Sequence, residues 1–176
     1  VRLVLRRVDA EGRLSAPHDA APTSGARSSG FPRLERAGDS LPLAWRVRQA
    51  PKGHCPEDLH MALVAVVSGL IPAEAHVVLL GDGEFDGTRL QQAVQDAGWS
   101  YVCRTGNHLT ASWDGKTFRL DTVGACIKPG TLVALSEVFV TRAKYGPILL
   151  ICCWAKGYKE PLYLISNMSS AEEACH

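Results

Sequence analysis

The sequence predicts an α/β fold in which a strand–helix–strand unit is followed by a β-rich block. Three observations carry this. Residues 76–80, HVVLL, form a short, partly β-branched apolar run stopped by Gly81, the pattern of a strand covered on both faces. Residues 88–97 place Leu90, Ala93, Val94 and Ala97 at i, i+3, i+4 and i+7, which makes one apolar stripe on a helix. From Leu109 onward, short apolar runs alternate with turns at Pro129-Gly130, Gly146-Pro147 and Gly157, as consecutive strands do.

Residues 1–40 keep no period of two or 3.6 after Val8 and are rich in Ala, Gly, Ser, Pro and Arg. Such a stretch buries too little apolar area to offset its ordering entropy, so an irregular basic arm is expected. At Leu41 the character changes. LPLAWRVRQ alternates Leu43, Trp45 and Val47 with Ala44, Arg46 and Arg48, a strand with one wet face. After a loop over 51–56, Pro56, Glu57 and Asp58 open a helix at its positive end. Its buried stripe is expected at Leu59, Ala62, Leu63, Val66 and Leu70, and Pro72 ends it.

In the central unit Asp86 is available as the N-cap of the next helix and Gly98 as the residue just past its end. Residues 100–104 give the following strand, finishing on Arg104. Beyond Gly106, runs at 109–113 and 117–121 flank Asp114-Gly115, a strong hairpin signal. Strands are expected at 131–141, 148–154 and 162–166, and a polar helix at 167–173. The implied organisation is an irregular arm at 1–40, an α/β core fragment at 41–106, a β-rich segment at 107–167 and the start of a helix at 168–176.

Composition narrows the class. With 176 residues, 46% of them hydrophobic, the chain has enough apolar material for one domain core. The formal charge of +1 says little about partners, although nine of the nineteen basic residues precede Gln49. The longest apolar run, at 147–155, is too short to span a bilayer, so no membrane partner is expected. The first eight residues carry three arginines where a signal peptide has an apolar core. Six cysteines without CxxC pairs read as reduced core residues of a cytoplasmic protein. A first residue of Val, and a helix that only begins at the last residues, read as an incomplete chain.

The chemistry centres on GDGEFDG. A dinucleotide loop fails because Asp86 occupies the third glycine position and three acids would repel a pyrophosphate. A calcium loop fails because its twelfth position is Ala93. Two readings remain: an acidic turn that caps the helix through Glu84 and Asp86, or a carboxylate, Asp82, held at a strand end to bind Mg²⁺ for phosphoryl transfer. The second needs further carboxylates from other elements. His54, Cys55 and His60 do not have convincing zinc-site geometry, because Cys55 precedes a helix start and His60 falls within the helix. Trp45, Trp99, Trp113 and Trp154 read as core or interface aromatics. Arg46, Arg48 and Lys52 suit either a phosphate contact or a solvated surface.

From Leu41 to His176 the chain resembles insertion-sequence DDE transposases of the IS-four-like group. The resemblance is carried by LPLAWRV, KGHCPEDLH, VVLLGDGEFDG, GWSYVCRT, YGPILLICCW and EPLYLISNMSSAEEAC. It implies a partial ribonuclease-H-like mixed sheet with helices, the segment at 107–167 being the β-strand insertion of that family. It implies that Asp82 is the second catalytic aspartate and a metal ligand, that Arg104 contacts transposon-end DNA, and that Tyr163 lies near an aromatic that stacks on a flipped base. The implied cofactor is Mg²⁺, with Mn²⁺ as a substitute. The implied partners are DNA at transposon ends and targets and a second copy in a homodimer. The implied setting is bacterial, cytoplasmic and nucleoid-associated.

The chain departs from that family at both ends. The third acid belongs to a Y-x-x-R-x-x-x-E-x-x-x-x-x-x-K signature that should begin after His176, and Glu172 and Glu173 lack its context. The first aspartate should end a strand about twenty residues before Leu41, an offset that Asp19 meets inside SAPHDAAPTSG, which is no strand. A shifted reading frame upstream of Leu41 accounts for this. The expectation is a truncated, frameshifted fragment with an incomplete catalytic set, or a catalytically dead remnant that still binds DNA or associates with a relative.

Overall fold

The longest apolar run of the sequence becomes the middle strand of a sheet, because only a strand flanked on both edges can enclose Ile148, Leu149, Leu150, Ile151 and Cys152 together. A computed structural model of the protein describes residues 55–175 continuously, and residues 4–5, 18–19, 29–30, 33–36 and 39–47 before them. The chain divides into two units, Val1–Cys55 and Pro56–His176.

In the first unit the described residues form short antiparallel pairs. β1 (Val4–Leu5) pairs with β2 (His18–Asp19), β3 (Ser29–Gly30) with β6 (Arg46–Val47), and β4 (Arg33–Arg36) with β5 (Asp39–Pro42). The single strand expected over LPLAWRVRQ is therefore two pieces, broken at 43–45. Each piece follows its own partner, which alternation within one segment does not encode.

The second unit runs α1 (Glu57–Ser68), β7 (Val78–Gly81), α2 (Thr88–Asp96), β8 (Ser100–Arg104), β9 (Thr110–Trp113), β10 (Lys116–Arg119), α3 (Leu120–Cys126), β11 (Thr131–Val140), β12 (Tyr145–Trp154), β13 (Leu162–Ser166) and α4 (Ala171–Ala174). Its seven strands form one mixed sheet in the order β10-β9-β11-β12-β13-β8-β7. Only β7 and β8 are parallel; every other pairing is antiparallel. The fold is thus α/β, with four helices among the described residues. No described helix is long and apolar enough to cross a membrane.

Local chemistry explains most boundaries. Past α2, Gly98 takes a left-handed φ of 76°, and the N–H groups of Gly98 and Trp99 donate to the carbonyls of Gln95 and Val94. This is a Schellman ending, which the glycine makes cheap. Asp114 and Gly115 both have positive φ between the paired residues Trp113 and Lys116, the two-residue turn that matches strand twist. Where β13 ends, Asn167 takes over its role beside β8: its Oδ1 accepts from Tyr101 N–H at 2.8 Å and its Nδ2 donates to Trp99 O at 3.1 Å. The core gathers Leu90 and Val94 of α2, Leu120 of α3, and Tyr101, Cys103, Leu150, Cys152, Tyr163 and Ile165 of the sheet.

The tertiary structure corrects four sequence expectations. β7 is the rim strand of the sheet and Leu80 is 69% exposed, so the run is not covered on both faces. The buried face of α1 is His60, Leu63, Val64 and Val67, while Val66 and Leu70 are exposed. This helix is apolar nearly all round, so its periodicity leaves the buried face undetermined. The segment expected as strand 117–121 ends at Arg119 and becomes α3, because Leu120 is fully buried and its N–H is taken by Leu109 O. The polar helix expected at 167–173 is only the single turn α4, capped where the Ser170 hydroxyl accepts from Glu173 N–H.

Candidate functional site

The site sits at the carboxyl ends of the parallel pair. Strand register sets Gly81 opposite Cys103, so Asp82 and Arg104 follow at equivalent positions on neighbouring strands. Both are exposed. Gly81 is required there: a side chain at this position would run into Phe85 and the Cys103 Sγ.

The acidic turn is built by its own carboxylates and by two residues from elsewhere. Asp82 Oδ1 accepts from Glu84 N–H at 3.1 Å, closing the turn on itself. Asp86 Oδ2 accepts from the buried Thr105 hydroxyl at 2.7 Å, which ties the turn to the residue after β8. Asp86 is therefore not the helix cap that its position suggested. The N-cap residue is Gly87, which has no side chain to offer, and the Glu57 carboxylate accepts from Leu90 N–H at 2.9 Å instead. Glu84 makes no cap bond either, since α2 has no side-chain cap of its own. Beside this contact Arg89 meets Asp58 at 2.8 Å on the surface.

Beneath the turn lies a thiol. Burial, reinforced by the negative charges of Asp86 and Asp82, pushes Cys103 up to about 12. It stays protonated at neutral pH and is no nucleophile.

The described residues do not bring a full set of metal ligands together. Among them no group of three or more His, Cys, Asp or Glu is placed to hold a metal ion. One Asp86 oxygen accepts from Thr105, and Asp82 belongs to no such group of three. The zinc alternative is equally unsupported: His60 is buried and stacks on Phe85 at 4.5 Å, and His54 lies outside the described residues. Asp19 lies in the two-residue strand β2, where the sequence suggested no strand, and belongs to the first unit while Asp82 belongs to the second.

Tyr163 is also placed differently from a base-stacking residue. It is 7% exposed, and its hydroxyl fills the space a side chain at Gly124 would need. Burial, then nearby Cys152, Asp121 and Glu160, pushes its phenol above the ordinary tyrosine range. Of the four tryptophans Trp113 is the most open, at 41%, and Trp154 is half-buried with its Nε1 donating to Tyr158 O at 2.9 Å.

Two residues that shape the site escaped the sequence reading. Glu57 carried the signal of a first-turn acid, which points to its own helix and not to another 33 residues away. Thr105 carried no signal at all. Together the fold and the site define a mixed-sheet α/β protein with an acidic turn and an arginine at adjacent parallel strand ends. No protein-family model, no curated protein and no solved structure matches this chain.

Proposed function

We propose that the chain is a fragment of a DNA strand-transfer protein of the DDE transposase type. In this reading the β7–β8 end of the sheet is part of a ribonuclease-H-like core and the strands from β9 to β13 belong to the inserted segment. The protein contacts DNA but does not cleave it on its own. The observation that supports this reading is the register of β7 and β8, which sets Asp82 and Arg104 side by side at strand ends, where open α/β sheets collect ligands. A carboxylate and a guanidinium in that relation suit a phosphodiester: the arginine meets a phosphate oxygen, and the carboxylate contributes one ligand of a metal set. A single ligand does not make that set, and residues that act as a unit fail together.

The test is nicking of a supercoiled plasmid in Mg²⁺ and in Mn²⁺ by the wild type and by Asp82→Ala, with plasmid retention on filters measured across salt. Both proteins are expected to nick at background, and both to bind DNA with a steep loss as salt rises. Metal-dependent nicking that Asp82→Ala abolishes would overturn the proposed inactivity. Absence of salt-sensitive retention would overturn the DNA reading.

A further inference from the structure

The end of the sheet that carries Asp82 and Arg104 also gathers the turns that carry most of the nearby lysines. Register places Arg104 opposite Leu164, Leu162 opposite Cys153, and Trp154 opposite Thr131. The segments before β11 and between β12 and β13 therefore leave the sheet at this same end. They bring Lys128, Lys156, Tyr158 and Lys159, all exposed, against one acid of their own, Glu160.

These turns are built structures. Gly130 N–H donates to Trp154 O, Trp154 Nε1 donates to Tyr158 O at 2.9 Å, and Tyr158 N–H donates to Ala155 O at 3.3 Å. The stem of Lys156 lies over Gly130, whose φ of 89° and lack of a side chain admit it. Tyr158, 73% exposed, thus sits in a hydrogen-bonded turn between Lys156 and Lys159. One strand, β13, separates β12 from β8, so Arg104 is two strands across from β12 and level with Ile151, and the lysine turn begins just past the end of β12 on the same side of that level. Cations grouped at one sheet end with an exposed aromatic among them suit a polynucleotide backbone and its bases.

Resting on the DNA reading above, we propose that this end of the sheet is the nucleic-acid-binding face, with Arg104, Lys128, Lys156 and Lys159 meeting phosphates and Tyr158 stacking on a base. The probe is a fluorescein-labelled single strand of about 30 nucleotides, followed by anisotropy from about 50 to about 200 mM salt. Replacing both lysines, Lys156→Gln with Lys159→Gln, is expected to reduce the log–log salt slope by about 1.4, the share of two phosphate contacts on a single strand. Lys156→Arg with Lys159→Arg is expected to keep the wild-type slope, which separates charge from folding. Tyr158→Ala is expected to weaken binding about tenfold without changing the slope. Wild-type binding with an unchanged slope in the glutamine pair would overturn this surface and leave the DNA reading standing. Unchanged affinity in Tyr158→Ala would overturn the stacking role. A wild type that binds no DNA would overturn the DNA reading itself.

Discussion

The carboxylate of Glu57, in the first turn of α1, accepts a hydrogen bond from the backbone N–H of Leu90 at 2.9 Å and so caps α2 from outside. The cap residue Gly87 has no side chain, and any Cβ there would collide with that carboxylate. Position 87 is left bare so that another helix can satisfy the helix end. Glu57→Ala is expected to cost about 1 kcal/mol, and Glu57→Gln, which retains an acceptor oxygen, clearly less. Urea unfolding midpoints of the two variants against wild type measure this.

Gly124 and Tyr163 are matched in the same manner. Because the phenol oxygen occupies the place of a side chain at 124, Gly124→Ala is expected to destabilise by about 1 to 3 kcal/mol. Removing that oxygen with Tyr163→Phe should return part of the loss in the double variant. A double-mutant cycle by denaturant titration reads the coupling, and strictly additive effects would contradict the packing described.

The hydrogen bond from Thr105 to Asp86 ties the acidic turn to the end of β8. Thr105 is 3% exposed, so Thr105→Val keeps the shape and leaves the Asp86 carboxylate without this donor. The expected cost is about 1 to 2 kcal/mol. Thr105→Ser, which keeps the hydroxyl, should stay near wild type, and thermal unfolding of the pair distinguishes them.

Cys103 predicts a loss of stability in alkali. Its thiol, ordinarily near 9.0, is pushed up to about 12 in the fold by burial, then by Asp86 and Asp82. Between those values the unfolded chain releases a proton that the folded chain keeps, so stability is complete below about pH 9 and falls as pH rises toward about 12. One such group contributes a slope of about 1.4 kcal/mol per pH unit. Tyr101 and Cys152, also raised by burial, act in the same direction. Cys103→Ala should flatten the decline between pH 9 and 11 by about one proton, whatever it costs at neutral pH; denaturation midpoints across that range give the answer.

How much of this was legible depended on where each signal resides. β8 lies at 100–104 as its apolar run suggests, and β13 at Leu162–Ser166 likewise. The turn at Asp114-Gly115 and the helix end at Gly98 are written in residues whose backbone freedom forces the geometry. The acidic turn was visible as a cluster, but the partners of its members were not. Asp86 looked like a cap and is a side-chain acceptor for Thr105. Tyr163 looked like an aromatic for a ligand and is filler beside Gly124.

By itself, the sequence determined the strand–helix–strand unit around Asp82, the hairpin and the apolar centre of β12. Those features depend on periodicity and turn chemistry within about ten residues. Tertiary structure alone decided that β7 stands at the rim, that α1 turns His60 and Val67 inward instead of Val66, that LDTVGAC coils into α3, and that Glu57 caps α2. Each of these is settled by contacts between residues far apart in the chain, such as Glu57 with Leu90 or Tyr101 with Asn167. Such choices are made by burial and hydrogen-bond satisfaction in the assembled core, to which no local pattern has access.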